Sequence, residues 1–299
     1  VSRLIFKTTD LTKKYKESTA LDHINMSVYE GDIYGVIGKN GSGKTTLMRI
    51  MTGLTFPTSG EYDFSKKDIK VGAVIESPAV YPELSAFENL SYAAIQKNVT
   101  GKTVVAQTLE FVGLEKTYKK KVRDFSLGMR QRLSIGLAII NDPDVLILDE
   151  PINGLDPAGI IEMRKMIHRI NQELKTTVII SSHILSELSM VATRYGIIQD
   201  GKLIKEFSNS ELEEQLTCTY ILAVSDKEAT LKLIEEECID ILSLENNKIT
   251  FRTDNETLLT FCEMLSDRKI SIYQLQHVRK ELEDIFLEIV GGDHHVSVN

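Results

Sequence analysis

The sequence predicts an α/β protein with a mostly parallel sheet, followed by a small α+β extension. Three observations carry the prediction. Short apolar runs alternate with stretches of helical spacing from residue 32 to residue 206. A glycine-rich turn separates the first such run from the first helical stretch. The charge balance then shifts near residue 210: residues 1–210 carry 27 basic and 24 acidic side chains, residues 211–299 carry 8 and 19.

Each element has a local reason. Asp32–Ile37 reads as a short buried strand, and Lys44–Met51 as an amphipathic helix beyond the glycine-rich turn. Val71–Ile75 is a second strand. Ala86–Gln96, Thr103–Val112 and Leu127–Ile140 have helical spacing and form an expected helical subdomain at about residues 77–140. Val145–Leu148 is an unbroken apolar strand ending in Asp149-Glu150. Ile160–Leu174 repeats its apolar residues with helical period, and Thr177–Ser181 is another buried strand. Tyr195–Gln199 and Lys202–Glu206 flank Asp200-Gly201, a hairpin turn signal. Beyond residue 210 the expected order is strand Tyr220–Val224, helix Glu228–Glu237, a hairpin around Asn246-Asn247, helix Glu256–Leu265, strand Ser271–Gln276 and helix Glu281–Val290. That last helix reads most simply as amphipathic packing. The expected domains are therefore 1–210 and 211–299.

Composition excludes several classes. Hydrophobic residues at 42% supply a core, which rules out a disordered chain. Cys218, Cys238 and Cys262 are odd in number, widely spaced and form no CxxC, which speaks for free thiols in a reducing compartment. No run of about 18 apolar residues would span a membrane, and no signal peptide is visible; Val1 suggests a trimmed start. A cytoplasmic protein is expected. The acidic tail, net −11, argues against a nucleic-acid partner, and a solvated surface is its simplest meaning.

The strongest motif is Gly38-Lys39-Asn40-Gly41-Ser42-Gly43-Lys44-Thr45-Thr46, which fits G-x-x-x-x-G-K-[ST] between a strand and a helix. Its glycines let backbone N–H groups converge on one anion, and the helix N-terminus adds partial positive charge. Lys44 would reach the β- and γ-phosphates, and Thr45 would offer its hydroxyl to Mg²⁺. Asp149, at the carboxyl end of a central strand, can hold a Mg²⁺ water, and Glu150 can polarise the attacking water as general base. Together these motifs indicate a nucleoside triphosphatase.

The remaining motifs specify which kind. Phe125-Ser126-Leu127-Gly128-Met129-Arg130-Gln131-Arg132-Leu133 resembles the signature motif of the ATP-binding subunits of ABC transporters. Pro151-Ile152-Asn153-Gly154-Leu155-Asp156-Pro157 resembles their D-loop, His183 their switch histidine, and Tyr15 the aromatic that stacks on adenine. Glu76 stands where the family usually has Gln, and in Val74-Ile75-Glu76-Ser77-Pro78 resembles the subgroup exporting bacitracin or lantibiotics. The resemblance covers about residues 4–210, and the tail ending Leu282–Glu288 resembles the extension of drug- and peptide-export members. Two positions depart from the family pattern: Leu127 and Met129 alter the signature, and Glu76 brings a charge where a neutral carbonyl is usual.

The resemblance implies an ABC cassette of the P-loop NTPase fold, with ATP and Mg²⁺ as cofactors. Thr45, Asp149 and Glu76 would serve the metal, and Glu150, His183 and Glu76 catalysis. Ser126, Gly128 and Gln131 of a second subunit, expected to be an identical chain, would face the γ-phosphate in a head-to-tail dimer. Asp156 suits a helix N-cap with Pro157 at N1, and by the resemblance would also signal across that dimer. Export would proceed through separate membrane subunits contacted by the segment from Glu76 to Leu90, placing the chain on the inner face of the membrane. Alternatives are an importer, a ribosome- or DNA-associated ATPase, a P-loop kinase or GTPase, or a non-hydrolysing ATP binder. One phosphate loop, no sustained heptads and an intact Lys44, Asp149, Glu150 and His183 speak against the non-transport readings.

Overall fold

A computed structural model describes residues 3–76, 80–101, 103–117, 120–216, 219–245, 248–278 and 286. The chain forms two compact units, Val1–Asn209 and Ser210–Asn299. In chain order the first contains strands β1 (Leu4–Tyr15), β2 (Ser18–Ile24), β3 (Ser27–Tyr29) and β4 (Ile33–Ile37), then helix α1 (Lys44–Met51). Strands β5 (Ser59–Phe64) and β6 (Val71–Val74) lead to helices α2 (Ala86–Gln96), α3 (Val104–Phe111) and α4 (Leu127–Ile139). Then come β7 (Val145–Leu148), α5 (Pro157–Glu173), β8 (Thr177–Ser182), α6 (Leu185–Ser189), β9 (Arg194–Gln199) and β10 (Lys202–Ser208).

The central sheet has the order β10-β9-β4-β8-β7-β6. All its neighbours run parallel except the hairpin β9–β10, so the mostly parallel sheet expected from the sequence is present. Its strands are apolar on both faces because both faces are covered: every residue of β4 and β7 is buried. A second, antiparallel sheet, in which β1 pairs β2, β3 and β5, is not announced by the sequence pattern. Helix α1 lies in the core between the two sheets. Leu47, Met48, Ile50 and Met51 share one cluster with Phe6, Leu11, Leu21 and Ile24 of the antiparallel sheet and Val36, Val145, Ile147 and Ile179 of the parallel one.

Helices α2, α3 and α4 pack on one another. Gly136 of α4 faces Thr108, Leu90 and Val112, where a Cβ would sit at ordinary van der Waals contact, 3.4–3.5 Å. Ser85 and Glu88 close a capping box at the start of α2. Helix α5 begins three residues before the apolar repeat, because Asp156 caps it and Pro157 takes its first position. Helix α6 was not anticipated; five residues are too few to show a period.

Helix α7 (Asn209–Leu216) joins the units, and the second then runs β11 (Thr219–Val224), α8 (Lys227–Glu236), β12 (Asp240–Glu245), β13 (Lys248–Arg252), α9 (Asn255–Asp267) and β14 (Ile272–Val278). Its antiparallel sheet has the order β12-β13-β11-β14, the split βαβ arrangement of ferredoxin-like units. Tyr220, Leu222, Val224, Ile249 and Phe251 of the sheet pack with Leu233 and Ile234 of α8 and Phe261 and Leu265 of α9. Cys238 and Cys262 are free thiols; Cys218, the turn Asn246-Asn247 and, apart from Phe286, the expected helix Glu281–Val290 lie outside the described residues. Among the described residues no helix is long and apolar enough to cross a membrane.

Candidate active site

The site lies at the carboxyl edge of the parallel sheet, where β4, β7, β8 and β6 end. After β4 the chain turns through Gly41 and Gly43, at φ +84° and +112°, and enters α1. Gly43 is required twice over. Its conformation is left-handed, and a Cβ there would come within 2.5 Å of the Ala20 carbonyl. The loop and α1 open a cleft of about 200 Å³ lined by Ala20, Asn40, Gly41, Gly43, Lys44, Thr45, Thr46 and Glu150. Lys44 folds back into the loop, donating to the carbonyls of Gly38 at 2.7 Å and Lys39 at 3.3 Å. Among the described residues the buried Ser42 hydroxyl finds no hydrogen-bond partner. An orphan hydroxyl inside a nest of backbone amides suits an anionic ligand.

Asp149 and Glu150 follow β7. The Thr45 hydroxyl donates to Asp149 Oδ2 at 2.8 Å, closing a sequence gap of 104 residues. The other carboxylate oxygen, Oδ1, accepts from Ser181 Oγ at 2.6 Å. That Ser181 oxygen in turn accepts from the backbone N–H of Glu150 at 2.9 Å. Glu150 sits at φ +50°, so this bond holds a backbone conformation that side chains other than glycine rarely take. Its carboxylate bridges two groups: Oε1 stands 3.4 Å from Lys44 Nζ, and Oε2 is 2.7 Å from His183 Nδ1. Lys44 is 6% exposed, so its charge acts there with little solvent screening.

Thr45 and Asp149 present a hydroxyl and a carboxylate side by side, a hard-oxygen pair that suits Mg²⁺ completed by phosphate oxygens and water. Among the described residues no three His, Cys, Asp or Glu side chains gather into an all-protein metal cage. Glu76 does not join the Thr45–Asp149 pair; it accepts from Arg49 Nη2 at 2.6 Å. Tyr15 ends β1 with its ring 41% exposed, and Lys13 Nζ stands 4.9 Å from the ring centroid.

The signature residues lie elsewhere in the unit. Exposed Ser126 caps α4 by accepting from Met129 N–H at 3.3 Å, which leaves Gly128 and Gln131 in its first turns. This end of α4 lies against the D-loop: a Cβ on Gly154 would stand 3.1 Å from Leu127, and one on Gly128 3.6 Å from Leu155. Asp156 accepts from Gly159 N–H at 3.1 Å, an ordinary helix cap. Ser181 and Arg49 do not stand out in the sequence as site residues. Ser181 left one signal, a hydroxyl closing the otherwise apolar run Val178-Ile179-Ile180.

A phosphate loop feeding a buried helix, with two acidic residues at the end of the neighbouring strand, defines a phosphate-loop nucleoside triphosphatase. A profile of the ABC transporter family matches residues 21–153. The chain is 38% identical over 302 residues to the bacitracin transport ATP-binding protein BcrA of Bacillus licheniformis, spanning 96% of this chain and 98% of that one. It is 43% identical over 226 residues to the lantibiotic transport ATP-binding protein SrtF of Streptococcus pyogenes, spanning 73% of this chain and 98% of the other. Among solved structures, the dimeric post-hydrolysis state of the ATP-binding cassette MJ0796, bound to ADP and Pi, superposes with TM-score 0.63 at 25% identity, covering 69% of this chain and 99% of that one. The chain belongs to the ABC transporter family, as an ATP-binding subunit of its ATPase class.

Proposed function

We infer that this subunit hydrolyses ATP to power export of an antimicrobial peptide or drug through separate membrane subunits, working as a head-to-tail homodimer on the inner face of the cell membrane. The observation that carries the reading is the meeting of Lys44 and Glu150 in the phosphate-loop cleft, with His183 bonded to the Glu150 carboxylate. The amides of residues 38–46 would cradle the phosphates, with Lys44 between the β and γ groups. Thr45 and Asp149 would hold Mg²⁺, which supplies charge neutralisation across the phosphate oxygens. Glu150 acts as general base, oriented by His183 on one oxygen and by the Ser181 bond to its own backbone. His183 then faces the γ-phosphate, and Tyr15 offers its exposed ring to adenine.

On this reading, donors are still needed on the far side of the γ-phosphoryl group. Ser126, Gly128 and Gln131 of a second copy would supply them, consistent with the exposed hydroxyl of Ser126 at a helix N-terminus. Exposed Leu54, Phe56, Tyr81, Tyr92 and Ile95 offer apolar surface to the membrane subunits. The export reading is supported by similarity along nearly the whole chain to a bacitracin transport protein.

Two experiments test it. Light scattering should show the Glu150→Gln chain as a dimer with MgATP and a monomer without; a monomer in both contradicts the dimer mechanism. Removing the chain from its cell should lower tolerance to a membrane-active peptide antibiotic. Unchanged tolerance across bacitracin and lantibiotics contradicts the export reading.

A further inference from the structure

Glu76 has a counter-charge that the motif does not announce. Arg49 Nη2 donates to its Oε1 at 2.6 Å. Both residues are placed by elements that build the phosphate site. Arg49 follows Thr45 by four positions on α1, so the two side chains share one helix face, just over one turn or about 6 Å apart along the axis. Thr45 meets Asp149 beyond β7. Glu76 leaves the adjacent parallel strand β6 in the same register as Glu150: Val74 pairs with Leu148, and each glutamate stands two residues further on. Both are at positive φ, +60° and +50°.

Glu76, Asp149 and Glu150 therefore leave the ends of two neighbouring strands. Asp149 is satisfied by Thr45 and Ser181, and Glu150 faces Lys44 and His183. Among the described residues, Arg49 is the cation that meets Glu76. A neutral amide at position 76 would need no such partner.

We propose that Arg49 is a positioning residue of the ATPase reaction: it neutralises and steers the Glu76 carboxylate, so that a charged side chain is tolerated at the rim of the triphosphate site. The proposal rests on the ATPase reading. Arg49 and Glu76 are 40% and 55% exposed, and an exposed ion pair contributes little to folding. Its effect falls instead on the polyanion that binds nearby. One uncompensated carboxylate at the rim changes nucleotide affinity about three- to fivefold.

A double-mutant cycle tests this on the full chain. A fluorescent ATP analogue without Mg²⁺ reports affinity, steady-state hydrolysis reports KM and kcat, and thermal melting reports folding. Arg49→Gln should melt within about 2 °C of wild type, weaken metal-free binding about three- to fivefold and raise KM. Arg49→Lys should recover most of the affinity. Where Glu76→Gln is already present, Arg49→Gln removes only its own charge and releases no carboxylate, so its loss should be clearly smaller, under about twofold. An equal loss in both backgrounds, or no loss in either, overturns the proposal. A folded wild type that binds no ATP overturns the ATPase reading itself, whereas binding with an additive cycle overturns only the role of Arg49.

Discussion

Ser181 is the hub on which both acidic residues depend, and Ser181→Ala shows how far. The residue is fully buried; its hydroxyl donates to Asp149 Oδ1 at 2.6 Å and accepts from Glu150 N–H at 2.9 Å. Losing a bond to a carboxylate costs about 1.5–3 kcal/mol, and stranding a buried N–H about 1–3 kcal/mol. Since one hydroxyl serves both groups and local relaxation recovers part of the loss, about 3 kcal/mol is expected in total. For a unit of this size that lowers Tm by about 6–12 °C. Without its anchor the Glu150 backbone can leave φ +50°, and the carboxylate loses its fixed place between Lys44 and His183. A base misplaced in this way lowers kcat about tenfold to a hundredfold. Differential scanning calorimetry and steady-state hydrolysis at equal occupancy of ATP read the two effects separately. A variant that melts within about 1 °C of wild type and turns over at the wild-type rate would refute the reasoning.

Three further outcomes follow from the same structure. Tyr34 is fully buried and donates to Glu206 at 2.6 Å; burial, with the Glu206 charge adding to it, pushes its hydroxyl well above the ordinary phenol range. Tyr34→Phe should cost about 1.5–3 kcal/mol by chemical denaturation while leaving ATP affinity unchanged. Glu88 accepts from the Ser85 backbone and hydroxyl, which hold its carboxyl below the usual value. A lowered folded value means that its stabilisation is complete above the unfolded value and disappears as pH falls through the folded one. Melting curves of wild type and Glu88→Gln should differ at neutral pH and converge on acidification. Tyr15→Ala should raise the KM for ATP about tenfold with kcat nearly unchanged, as expected for lost stacking on a base; an unchanged KM would remove Tyr15 from the adenine site.

The parallel sheet and its helices were legible because their signals are local. Val145–Leu148 is apolar without a break, and Asp156-Pro157 announces a helix start. The antiparallel sheet was not, because β1 mixes Lys7, Lys13 and Lys14 with buried Phe6 and Leu11 and its pairings shift register repeatedly. Its burial pattern has no clean period of two, and its partners are set by contacts far apart in sequence. At the site, the phosphate loop and the Asp149-Glu150 pair stand out because one backbone geometry demands those residue types in that order. Ser181 and Arg49 are different. A serine ending a strand and an arginine on a helix are commonplace in sequence, and only the fold brings them to Asp149 and Glu76.

The central claim is that each protomer supplies Glu150 as the base while a second copy completes the γ-phosphate site. It is tested most directly by hydrolysis of MgATP as a function of protein concentration, for wild type and Glu150→Gln. The account predicts a rate per chain that rises with concentration in wild type and falls by at least about a hundredfold in Glu150→Gln, with ATP still bound. A rate per chain independent of concentration in a monomer, or full activity in Glu150→Gln, would contradict it.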